Sequence, residues 1–170
     1  MMPAFLAVLQ FVVLLMLLVS AYLGFGDHDP AGMLSHMYWG VATSILGMFG
    51  HTLVMFFLIG TSKAIRLMCK DHKHAWTFVE RSNVFKRAVA GKSTMASMAF
   101  LIEPILGAAS YSSTISTQWH LLGFFVTLGL HVWVFGIELK CIGLNNLLMH
   151  EVSEWKDSGI LTKAEPGSET

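Results

Sequence analysis

Four of the eight histidines, His36, His51, His120 and His131, fall inside long apolar stretches of this 170-residue chain. An imidazole in hydrocarbon is costly and normally faces a helix bundle's interior with a partner. A single one serves as an interhelical hydrogen bond. Four, two on each of two segments, fit a further chemistry, in which imidazoles from facing helices ligate one metal from both sides. Glu103 is the other anomaly: an ionisable residue deep in an apolar run, followed by Pro104. Proline cannot donate to residue i−4, so it frees a backbone carbonyl near Phe100.

The positions of the histidines pair them. His36 lies six residues beyond Pro30 and His120 four beyond Ser116, about 6 to 9 Å below one membrane edge. His51 stands twelve residues before Lys63 and His131 nine before Lys140, about 14 to 18 Å from the other edge. The expected pairs are therefore His36 with His120 and His51 with His131. His120 and His131 are eleven apart, about 20° from one helix face, whereas His36 and His51 are fifteen apart, about 60° off. Glu103, eleven residues above Lys92, counts to about 16 Å, the depth expected of His51 and His131.

Small residues flank the histidines. Gly40 is one turn from His36, Gly47 one turn from His51, and Gly123 three residues from His120. Glycine there lets membrane helices pack closely; beside paired histidines it also leaves room for a flat macrocycle. Three roles fit Glu103: hydrogen bonding to a ligating imidazole, proton transfer, or joining His51 and His131 as a third ligand to a non-haem metal.

The elements that must position these residues are membrane helices. Charged residues make up 13% of the chain, about half the soluble norm, and hydrophobic residues 54%. No Asp, Glu, Lys or Arg occurs in residues 1–26, 32–60 or 106–137. Runs of that length read as membrane spans, which excludes a soluble enzyme and a nucleic-acid binder. The expected fold is an all-α, polytopic four-helix bundle over 1–155, with spans near 5–25, 33–62, 92–113 and 119–139. The second and third spans should continue as cytoplasmic helices joined by a turn near residues 71–74, and the fourth as an amphipathic helix to Trp155. Residues 156–170 read as a mobile polar tail. The first span lacks a basic leader and reads as a retained helix.

Orientation follows from Lys63, Arg66, Lys70, Lys73, Arg81, Lys86, Arg87 and Lys92, eight of eleven basic residues in one connection. By the positive-inside rule that connection and both termini are cytoplasmic, with residues 27–30 outside. The basic segment also suits anionic headgroups. Spans two and four then run in the same direction. Cys69 and Cys141 sit beside lysines and read as reduced thiols. No CxxCH is present for covalent haem attachment. Glu138 reads as an interfacial partner of Lys63 or Arg66, and His28, His72, His74 and His150 as solvated or headgroup residues.

The architecture resembles the membrane-anchored di-haem b-type cytochromes that serve as subunits of respiratory dehydrogenases. The resemblance rests on the two histidine pairs across spans two and four, about a third of the chain. It implies an outer haem b on His36 and His120, an inner one on His51 and His131, and electron exchange between quinone and partner subunits in a bacterial inner membrane. Two other functions compete: a membrane enzyme with a metal at His51, His131 and Glu103, and a non-catalytic structural subunit of a membrane complex.

Overall fold

The computed structural model describes residues 2–26 and 30–158, excepting the side chain of residue 30. It is 92% helical. The elements are α1 (Met2–Gly24), α2 (Pro30–Met68), a 3-10 turn at Lys73–Ala75, α3 (Trp76–Tyr111) and α4 (Thr117–Asp157). The expected turn near 71–74 is present as Cys69–His72 followed by the 3-10 turn. The helix after the fourth span runs two residues beyond Trp155. The segment 27–29 with His28, and the tail from 159 onward, lie outside the described residues.

A seven-residue rhythm holds the helices together. The buried positions of α1 are Leu6, Gln10, Val13, Leu17 and Ser20. On α4 they include Thr127, His131, Val134, Glu138, Cys141, Asn145, Leu148 and Val152. Alternating steps of three and four average 3.5 residues, the spacing that keeps one seam facing its neighbours in a left-handed bundle. His51, Val54, Leu58, Ile65 and Cys69 continue the seam on α2. Short connections make successive helices antiparallel neighbours. Parallel α2 and α4 also meet across the middle, and α1 touches α4, whereas no backbone contact joins α1 to α3 among the described residues. The α2–α4 contact brings the histidine-bearing helices face to face.

The outside of the bundle is apolar, and the inside mixes apolar packing with buried polar groups. Phe5, Val8, Ile45, Phe56, Ile105 and Leu147 are each more than half exposed, while Gln10, His51, Ser93, His131, Glu138 and Asn145 are almost wholly buried. Water would favour the reverse; hydrocarbon favours this one, because polar groups in lipid must find partners within the protein. All four helices are long and apolar enough to cross a membrane, with mean hydropathy of 2.7, 1.8, 1.2 and 1.8 in their most apolar windows. Hydroxyls that face outward bond their own helix, as Thr52 Oγ1 does to the Met48 carbonyl at 2.8 Å and Thr94 Oγ1 to Ala90 at 2.9 Å. The 39 residues of α2 make a rod of about 58 Å, against a hydrocarbon core of about 30 Å. The basic residues of α2, Lys63 and Arg66, lie near its C-terminal end.

There Ile65, Cys69, Ala75, Val79, Leu148 and Val152 form a second core. Trp155 caps it, with its ring centroid 5.5 Å from His72, 5.8 Å from His74 and 6.0 Å from Phe78. Arg81 forks onto Glu151 at 2.5 and 3.2 Å and holds that carboxyl below the usual range by hydrogen bonding. Both side chains are about half exposed, so the pair adds little stability. Cys69 is fully buried, and burial pushes its thiol up. Since the thiolate is the nucleophile, maleimide at neutral pH is expected to spare Cys69 in the folded protein and label it once SDS unfolds the bundle. Rapid labelling of the folded protein would show that this second core opens.

Candidate functional site

The seam carries the histidines to two levels. His36, near the start of α2, meets His120, near the start of α4, with ring centroids 6.0 Å apart and planes at 72°. Further along, His51 and His131 meet at 5.3 Å and 75°. Both pairs close although the two spacings differ by four residues, and the pair nearer the helix starts is the looser.

At the first level each ring has one nitrogen turned toward a fixed oxygen. His36 Nδ1 donates to the Ser20 carbonyl at 2.9 Å. His120 Nδ1 lies 3.3 Å from Glu103 Oε1, yet the angle is too poor for a hydrogen bond, leaving a buried nitrogen unsatisfied. In both rings Nε2 has no protein partner among the described residues. A cavity of about 420 Å³ adjoins them, lined by Ser20, Gly24, Gly40, Glu103, Gly107 and Tyr111 among others. Two metal–imidazole bonds of about 2 Å, with roughly 1 Å more from each nitrogen to its ring centre, place axial imidazoles about 6 Å apart. This pair therefore fits a metal macrocycle in ring separation, free Nε2 atoms and adjoining space. The His36 Nδ1 contact is of the kind that fixes a ligating imidazole's tautomer.

Two glycines seat these rings. A Cβ on Gly24 would come within 2.8 Å of the His36 ring, and one on Gly107 within 3.2 Å of the His120 ring. The glycines expected from sequence do other work. Gly40 lines the cavity and would make only ordinary contact with Ser20 Oγ, at 3.5 Å; Gly47 admits the Phe100 ring and Gly123 the Leu106 side chain, each at 2.6 Å. Gly24→Ala is thus expected to displace the His36 ring and weaken any ligand held there, whereas Gly40→Ala is tolerated. Ligand titration of the two variants checks this, and equal affinities would contradict it.

The second level is closed. His51 Nε2 and His131 Nδ1 share a hydrogen bond of 3.2 Å, and His131 Nε2 donates to the Gln10 carbonyl at 3.2 Å. His51 Nδ1 lies 2.8 Å from Glu138 Oε1 and 3.1 Å from Gln10 Nε2. Glu138 also accepts from Gln10 Nε2 at 2.7 Å and from Ser93 Oγ at 2.6 Å. Phe100 packs on both rings, at 5.9 and 5.4 Å, and Phe135 stacks on His131 at 13°. All four imidazole nitrogens are engaged, and the facing pair is too close for a metal between two bonds of about 2 Å. The inner haem site expected from sequence does not fit these residues as they are arranged.

Two placements correct the sequence reading. Glu103 stands beside His120, not with His51 and His131; Phe100 occupies the level of that second pair. The expected His51, His131 and Glu103 metal site is therefore not assembled, and no group of three His, Cys, Asp or Glu suited to a metal occurs among the described residues. The depth count failed at Lys92, whose Nζ reaches back to the Ala88 carbonyl at 2.8 Å. A lysine that snorkels this way sits deeper than its charge, so residues counted from it lie further in. Glu138 is the second correction. It is fully buried and bonds His51, with no ion pair to Lys63 or Arg66.

Gln10, Ser93 and Glu138 are the site residues that sequence reasoning missed. Two of them carried a signal. Gln10 is the only amide in the most apolar helix, and Glu138 follows His131 by seven residues, two turns on the same face. Comparison with protein-family models, curated proteins and solved structures found no match to this chain.

Proposed function

We propose that this chain is a membrane-embedded b-type cytochrome subunit that holds one haem between His36 and His120 and passes single electrons within the bilayer. One observation carries the reading: two imidazoles from parallel helices stand 6.0 Å apart beside a cavity of about 420 Å³. Haem would supply one-electron chemistry. The chain's own residues would do the rest. Ser20 and Glu103 would orient the ligating rings, Gly24 and Gly107 would give them space, and the surrounding helices would exclude water. The buried polar groups and apolar exterior support a polytopic bundle. The eight basic residues between the second and third spans support cytoplasmic placement of that end and of both termini, as in a bacterial inner membrane. The electron's other donors and acceptors would be quinone and partner subunits of a larger complex.

The absorption spectrum of the purified protein tests the reading. Low-spin haem bands that sharpen on dithionite addition, with one iron per chain, are expected. Protein without iron after expression with ample haem would leave the structural-subunit reading, in which the histidines only join helices. Reporter fusions after Asp29 and Gly167 should give opposite signals.

A further inference from the structure

We infer that Glu138, His51 and His131 form a proton-binding site at the centre of the bundle, which holds one transferable proton. The inference does not depend on haem.

The hydrogen-bond directions establish the proton count. The Gln10 carbonyl can only accept, so His131 carries a proton on Nε2. The 3.2 Å contact between His51 Nε2 and His131 Nδ1 needs one proton, and so does the 2.8 Å contact between His51 Nδ1 and Glu138 Oε1. Three contacts thus hold three protons among three groups, and this can be done in three ways. In the first, Glu138 is a neutral acid donating to His51 Nδ1, and both histidines are neutral. In the second, the O–H bond on Glu138 breaks, an N–H bond forms on His51 Nδ1, and an imidazolium faces a carboxylate. In the third, the His51 Nε2–H bond breaks, one forms on His131 Nδ1, and the charge has moved one ring further. The three counted contacts survive each shift, while the 3.1 Å contact from Gln10 Nε2 to His51 Nδ1 is a hydrogen bond only in the first arrangement. Ser93 and Gln10 donate to the carboxyl throughout.

The surroundings isolate this site on both sides. The chain of contacts ends on a backbone carbonyl, which cannot pass a proton on. The rings of Phe100 and Phe135 pack against His131 and oppose the ring rotation that would extend the path. Toward the basic end a buried apolar layer of Leu6, Val54, Leu58, Val89, Cys141 and Ile142 comes next. Gln10 Oε1, at the site itself, is buried without a hydrogen-bond partner. Among the described residues α1 presents no charged group to the site, α2 presents His51 and α3 presents Ser93. The Lys92 side chain on α3 turns back to Ala88, and α4 adds Lys140 and Cys141 beyond Glu138.

The test is nitrogen NMR of histidine-labelled full-length protein in lipid nanodiscs, titrated over the range in which it stays folded. Expected are His51 signals that change protonation state with pH, assigned by their loss in His51→Asn. In Glu138→Gln, which keeps size and one of the two acceptor oxygens, the change should vanish and His51 should stay neutral. Ser93→Ala, which removes only an outer donor, should keep it and stands in if Glu138→Gln does not fold. His51 and His131 fixed in one protonation state throughout, or a titration unchanged by Glu138→Gln, would overturn the proton site.

Discussion

Replacing His120 by alanine is expected to abolish low-spin haem binding while the bundle remains folded. His120 is partly exposed and makes no hydrogen bond through either nitrogen, so its loss removes little internal bonding. Under the proposed function its removal would take away one of the two residues that would hold the haem, so any residual haem should be high-spin and readily extracted. Occupancy is expected to fall at least tenfold relative to wild type, and circular dichroism should be unchanged. His36→Ala should behave alike but also leave the Ser20 carbonyl without its donor. His131→Asn should retain the haem spectrum, since its partners are His51 and Gln10. Haem lost from His131→Asn and kept by His120→Ala would move the cofactor to the second pair.

Glu138→Ala is expected to be the most destabilising single change in the bundle. Its carboxyl accepts from Ser93 on α3 and Gln10 on α1, and it faces His51 on α2. One side chain on α4 therefore ties all four helices together. Interhelical hydrogen bonds in membranes average only about 0.6 kcal/mol each. The larger effect is the set of buried donors left without an acceptor, at about 1 to 3 kcal/mol apiece. A loss of about 3 kcal/mol is expected, read as a lower SDS midpoint or melting temperature. Glu138→Gln should lose about 1 kcal/mol or less, because the amide oxygen can still accept. Equal losses from both would mean that the charge, rather than the hydrogen bonds, holds the helices.

The helices were legible because hydrocarbon demands long runs almost free of charge, and the described residues hold four. The turn after Met68 was legible from helical spacing on both sides of it. The histidine pairs were legible because spans two and four run in the same direction, which equates their levels. What went wrong went wrong at single side chains. Counting depth from Lys92 placed Glu103 at the wrong pair, because a lysine's charge and its Cα can lie a turn apart. Its position at the inner end of the fourth span placed Glu138 at the interface, because distance along a helix says nothing of the face a residue presents.

By itself, then, the sequence determined the all-helical class, the four apolar segments, the basic end and the matching of His36 with His120 and of His51 with His131. Those follow from periodicity, hydropathy and direction, which are properties of one helix at a time or of simple order. Only the tertiary structure decided which pair stays open and which closes. That outcome depends on side chains from other helices: Gln10 and Ser93 satisfy Glu138 and close the second pair, while Gly24 and Gly107 make room at the first. No spacing along α2 or α4 encodes them, because the residues that settle the difference stand on α1 and α3, and only packing brings those helices against the histidines.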